Sequence, residues 1–256
     1  MLPYLFPIVR FLLLFLLLGA CSESDPTSPG PSFSTSGAAG QPIEPTPDAT
    51  GQGGAADQGG TAGQGEAGTS QDPIPFAVAV VSFLPGPGAG FGQENMPDVV
   101  LGPPEGGGET QGSLDVVSLG SEGEIVLRLG VDAIDEPGPD LLVFENPFFV
   151  GGDPEKVWKE LGEVSVSEDG ETWATFTCDP THFKTTSCAG WRPVLASSSS
   201  GISPLEPETA GGDPFDLAEV GIQRARYVRI RDLSQIMAPP TAGFDLDAVA
   251  VIHTAP

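Results

Sequence analysis

Basic residues are scarce in this chain. It carries 10 Lys and Arg against 35 Asp and Glu, a formal charge of −25 at neutral pH. Such a surplus repels phosphate, which argues against nucleic acid and anionic lipid headgroups as partners. Histidine is scarcer, with two copies, His182 and His253. The sequence has no G-x-S-x-G elbow, no glycine-rich phosphate loop and no H-E-x-x-H pair. "ASSSSG" (196–201) is a loop without a nucleophile motif. A non-enzyme is therefore expected. Helical periodicity is scarce too: "DPEKVWKELG" (153–162) is the one short candidate helix, with Pro154 suited to a first turn.

The first 72 residues lack what a core needs. Residues 1–20 hold one base, Arg10, and the apolar run "FLLLFLLLGA", too short to span a bilayer comfortably and suited to a signal-peptide core. Leu18-Gly19-Ala20-Cys21 resembles the lipobox of bacterial lipoproteins, which implies that Cys21 is acylated and anchors the chain to a membrane. An ordinary secretory signal that happens to precede a cysteine is the alternative. Ser22 after the cysteine implies, by the same resemblance, the outer membrane. Residues 21–72 are rich in Gly, Pro, Ser, Thr, Ala and Gln, with Phe33 as the single aromatic. They cannot bury enough apolar surface to offset ordering and are expected to form a disordered tether.

Residues 73–256 suit one domain. Strand signals recur at 75–83, 123–130, 140–146, 163–167, 172–178, 225–233 and 245–253, separated by Gly, Pro and Asp clusters. "EVSVSEDGETWATF" (163–176) reads as a hairpin, Asp169-Gly170 supplying the positive φ of the turn. Many short strands in a domain of this size predict an all-β sandwich of jelly-roll type. Three cysteines minus a lipidated Cys21 leave Cys178 and Cys188, an even pair expected to close "CDPTHFKTTSC" as a disulfide. A zinc site using His182 between them is the competing reading, but the spacing fits no zinc pattern and a fourth ligand is missing.

"VSVSEDGETW" (164–173) and, some fifty residues on, "ARYVRIRDL" (225–233) resemble the paired signature of discoidin-like, or coagulation factor 5/8 type C, domains. These are galactose-binding-like jelly rolls. "PDVVLGPPEGGG" (97–108), "GPDLLVFENPF" (138–148), "GGDPFDLAEVG" (211–221) and "GFDLDAVAV" (243–251) resemble a group of bacterial cell-surface lipoproteins of myxobacterial type.

Three acidic motifs lie beside Gly or Pro and within or next to apolar runs, where a bare charge costs most. They are Asp140 with Glu145, Asp213 with Asp216, and Asp245 with Asp247. Alternation across "GFDLDAVAV" puts Asp245 and Asp247 on one strand face with Val249 and Val251, about 7 Å apart, opposite Phe244, Leu246, Ala248 and Ala250. Calcium takes six to eight oxygens in irregular geometry, which such loops supply. The resemblance implies one structural calcium near the first and last strands. The alternatives are Asx-turn roles, pairing with Arg224, Arg226, Arg229 and Arg231, or a carboxylate-dependent glycosidase. Phe148, Phe149, Trp158 and Trp191 are candidate ligand-binding aromatics. The function expected is a non-catalytic module at the cell surface binding carbohydrate or another surface ligand. A structural envelope protein without a small-molecule site is the alternative.

Overall fold

A computed structural model describes residues 74–234 and 238–255. The expected signal segment, Cys21 and the expected tether lie outside the described residues. The expected all-β class is met. In chain order the strands are β1 (Ala77–Leu84), β2 (Val117–Ser118), β3 (Glu124–Ile134), β4 (Leu141–Phe144), β5 (Phe148–Phe149), β6 (Val157–Trp158) and β7 (Gly162–Ser167). They continue with β8 (Ala174–Thr175), β9 (Cys188–Ala189), β10 (Asp213–Phe215), β11 (Arg224–Asp232), β12 (Asp245–Leu246) and β13 (Ala248–Val251).

The larger sheet runs β1-β3-β11-β7-β8, with β9 also pairing β7. A second sheet runs β10-β4-β13, and β12-β2 and β5-β6 are two-stranded pairs. All pairings are antiparallel. Period-2 alternation explains how the layers face one another. Ile125, Leu127 and Leu129 of β3, Val228 and Ile230 of β11, and Val164 and Val166 of β7 point inward. They meet Leu141 and Val143 of β4 and Val249 and Val251 of β13 in the main core. The other face of β4 is buried as well: Leu142 and Phe144 pack with Ala248, Ala250, Val194 and Ala210 in a second cluster. Covered on both faces, β4 reads as the unbroken apolar run "LLVF".

The hairpin at 163–176 forms, with Ser165 opposite Thr175 and Val166 opposite Ala174. Gly170 has φ 79°, and Asp169 accepts backbone N–H groups from Glu171 and Thr172 at 2.8 Å each. Those bonds hold the Asp169 carboxyl down at about 2. Cys178 and Cys188 are bonded with Cα atoms 4.7 Å apart, an entropic restraint of at most about 3 kcal/mol for so short a ring. With both sulfurs in that bond no thiolate is left for the zinc alternative, and His182 Nδ1 is engaged by Asp179 at 2.8 Å.

Two expectations fail. Residues 153–162 form no helix. The turn Asp153–Lys156 closes on itself, Lys156 N–H donating to the Asp153 carbonyl. Val157 and Trp158 then extend to pair with Phe149 and Phe148, because a β-branched residue and an aromatic gain more across a strand pair than in one helical turn. The predicted strand 245–253 is also broken. Asp245–Leu246 pairs with β2, whereas Ala248–Val251 pairs with β4. Alternation slips at Asp247 between them: Phe244, Leu246, Val249 and Val251 enter the main core, and Ala248 and Ala250 enter the second cluster.

The arginines of β11 do not reach the predicted acidic motifs. Arg226 forks onto Asp132 with two bonds of 2.8 Å, and Arg224 joins the same carboxylate at 3.2 Å. The Arg226 guanidinium holds Asp132 below the usual carboxylate range. Arg231 pairs with Glu163 at 3.1 Å, and Arg229 lies 4.6 Å over the Trp173 ring. These arginines bind the neighbouring strands on the outer face of the larger sheet.

Candidate metal centre

The six predicted metal residues separate into four places. Glu145 follows β4, Asp245 opens β12, and Glu160, unmarked in the sequence, precedes β7. Their carboxylate oxygens lie within 4.8 Å of one another, and the three residues are 2%, 6% and 5% exposed, respectively. Local chain geometry forces this meeting. Asp245 sits opposite Ser118 in the β12–β2 pair and accepts the Ser118 hydroxyl. Its other oxygen accepts Asn146 Nδ2 at 3.4 Å. Asp245 N–H donates to Glu145 Oε1 at 3.2 Å. Gly190 (φ 92°) packs on the Glu160 carbonyl so closely that a Cβ there would sit 2.1 Å from that oxygen, which fixes the Glu160 backbone and requires glycine at 190.

The charges in this pocket are uncompensated. Burial pushes Glu160 up to about 8, with the Asp245 and Asp232 charges adding to it. Asp245 is raised to about 6, chiefly by burial. Glu145 is pushed well above the usual carboxylate range by burial and then by Asp245. No Lys or Arg contributes to these shifts. Glu145 Oε2 and Glu160 Oε1 are buried without a hydrogen-bond partner. Natural cores rarely leave such atoms unsatisfied, because each costs about 1–3 kcal/mol or more. Asp232 stands beside the trio with its oxygens occupied by the N–H groups of Phe244 (2.8 Å), Ser234 (3.0 Å) and Glu122 (3.0 Å).

Asp140 and Asp216 meet a different third acid, Asp135, within the same 4.8 Å span. Each of the three carries hydrogen bonds: Asp140 accepts from Leu217 N–H and His253 Nδ1 at 2.8 Å each. Asp216 caps Ala218 N–H at 2.9 Å, and Asp135 accepts from Gln223 at 2.7 Å. This second cluster has the turn and cap role foreseen as an alternative. Asp247 clamps Glu105 N–H with both oxygens at 3.1 Å, and burial raises it to about 8. Asp213 accepts Gly190 and Trp191 N–H at 2.6 and 3.1 Å. Its Oδ1 has no hydrogen-bond partner, Arg192 Nε lying 3.9 Å away, and burial pushes the carboxyl up to about 7.

The predicted aromatics do not form one platform. Across the β5–β6 pair Phe148 stacks on Trp158, with centroids 6.3 Å apart. Phe149 and Trp191 instead line a common cavity of about 220 Å³. Glu160 carried no signal in the sequence beyond its place after a Trp-Lys pair; what marks it is the approach of Gly190 and Asp245, which the fold alone creates. No protein-family model and no curated protein matches the chain.

Proposed function

We propose that the domain is a calcium-stabilised, non-catalytic binding module of the cell surface, tethered by a lipid on Cys21, with its cation held by Glu145, Glu160 and Asp245. The observation that carries this reading is the buried trio itself, with two unpartnered oxygens and no base within its electrostatic reach. Three acids within 4.8 Å repel strongly in a low-dielectric setting. A divalent cation converts that repulsion into attraction and satisfies both orphan oxygens. A buried oxygen-only donor set drawn from one strand residue and two connecting segments suits calcium rather than zinc, which prefers nitrogen and sulfur, or magnesium, which demands strict octahedral geometry. Further oxygens from backbone carbonyls or water would complete the shell.

The cation is structural in this reading, since it lies between sheet elements in the core. It pins the end of β4 to the start of β12 and to the segment entering β7. Protein extracted from membranes in calcium-containing buffer should carry one calcium per chain by elemental analysis, and a lipid adduct on a chain beginning at Cys21 by intact mass. A metal-free protein after such handling overturns the cation; a free Cys21 thiol overturns the anchor.

A further inference from the structure

Two bases outside the larger sheet share one place. Arg128, Arg224, Arg226, Arg229 and Arg231 lie on β3 and β11. Of the other described bases, Lys156, Lys159, Lys184 and Arg192, the last two line two adjoining cavities of about 220 and 260 Å³. Both cavities are lined by Lys184, Trp191 and Arg192. Together they fall within the usual size of a small-molecule site, roughly 300–1,000 Å³. Phe149, Val157 and Pro193 give the first cavity apolar walls beside the Trp191 ring.

The two shared bases are loosely held. Lys184 stands 3.9 Å from Glu155, and Arg192 stands 3.9 Å from Asp213, with side chains 48% and 44% exposed. The Lys184 contact is long and exposed on both sides and contributes little; Arg192 faces the buried Asp213 carboxylate and lies 4.8 Å over the Trp191 ring, yet stays 44% exposed toward a ligand. The surface beneath them is rigid by comparison. Asp213 fixes the Gly190 and Trp191 backbone through its Oδ2, and Phe183 packs edge-on against Trp191 at 5.7 Å. Lys159 lies 4.6 Å over the Phe183 ring and adds positive charge behind it.

In a chain of charge −25, Lys184 and Arg192 beside an aromatic cavity are complementary to an anion that also carries a flat apolar face, its charge kept on their side and away from Asp213 and Glu219, which line the second cavity. We propose that the joined cavities at Trp191 bind an acidic saccharide, its ring C–H face on the Trp191 and Phe149 side and its carboxylate at Lys184 and Arg192. A sugar ring supplies the apolar face, and a uronic carboxylate supplies charge-assisted bonds to both bases. The concave wall built from side-chain faces suits a ring, whereas an extended peptide is held by main-chain bonds along an exposed strand edge. The inference rests on the binding-module reading and names the ligand class for it.

The test titrates purified full-length protein, at fixed free calcium, with trigalacturonic acid, its methyl ester, and a hyaluronan tetrasaccharide, read by calorimetry and tryptophan fluorescence. At least one acidic saccharide is expected to bind saturably. Affinity should fall about tenfold or more in the methyl ester or in the double variant K184Q/R192Q, and fall with added salt. W191A should lose binding of acid and ester alike. Melting curves with and without calcium on the same samples separate the two proposals. Absence of binding by every acidic saccharide, with the calcium response intact, overturns the saccharide site and leaves the cation. Saccharide binding that K184Q/R192Q weakens, in a protein that ignores calcium, does the reverse. Equal affinity for acid and ester overturns the carboxylate contact.

Discussion

Chelator-treated protein is expected to melt about 5–10 °C below protein held in calcium at a hundredfold excess over Kd. A ligand bound by the folded state alone stabilises it by RT ln(1 + [L]/Kd), about 2.7 kcal/mol at that excess. For a domain of this size each kcal/mol is about 2–4 °C. Magnesium should restore little of the loss, because it demands strict octahedral geometry and gives up its water reluctantly. Glu145→Gln and Asp245→Asn should each abolish most of the calcium increment. Without calcium, either variant should melt at or above the wild-type temperature, since each removes a charge that burial and its neighbours already disfavour. Differential scanning calorimetry at constant ionic strength reads both effects. Superimposable melts with chelator and with millimolar calcium contradict them.

Acidity should act in opposite directions on the two forms. Asp245, Asp213, Glu160 and Asp247 have folded-state values raised to about 6, 7, 8 and 8, against about 4 in an unfolded chain. Below pH 4 both states hold these protons and no penalty exists. As pH rises from about 4 to 8 the unfolded chain releases them first, so calcium-free stability falls and the loss is complete above about 8. The calcium-free protein should therefore melt higher at pH 5 than at pH 8. Calcium needs the ionised trio, so its stabilisation should be small at pH 5 and largest at pH 8, with protons released on binding in between. Asp169 and Asp179, each held at about 2 by local hydrogen bonds, work the other way. Their contribution is present above pH 4 and is lost only as pH falls through about 2. A calcium-free melting temperature that climbs steadily from pH 5 to 8 contradicts the buried-acid account.

The sequence showed the sandwich wherever strands were long and one-sided. β3, β7 and β11 each announce themselves by alternation, and Gly170 marks its turn. Strands of two residues, such as β2, β5, β6 and β9, carry too few positions for a period to register, and their pairing is decided by partners distant in the chain. "GFDLDAVAV" shows the same limit from inside a motif. Its alternation is clear, yet Asp247 is drawn out to clamp Glu105 N–H, and the two halves join different strands. Asp245 and Asp247 therefore do not share a site. The candidate centre was half legible: Glu145 and Asp245 stand out as acids in apolar runs, whereas Glu160 and Asp232 come from other segments. Their proximity depends on the glycine at 190 and on the end of β11, which local pattern does not encode.

Calorimetric titration of calcium into chelated protein tests the central claim most directly when wild type is compared with Glu160→Gln and with Asp216→Asn. The account predicts one site per chain in the wild type, the same site in Asp216→Asn, and at least a tenfold loss of affinity in Glu160→Gln. No calcium uptake by the wild type, or a site lost in Asp216→Asn and kept in Glu160→Gln, contradicts it.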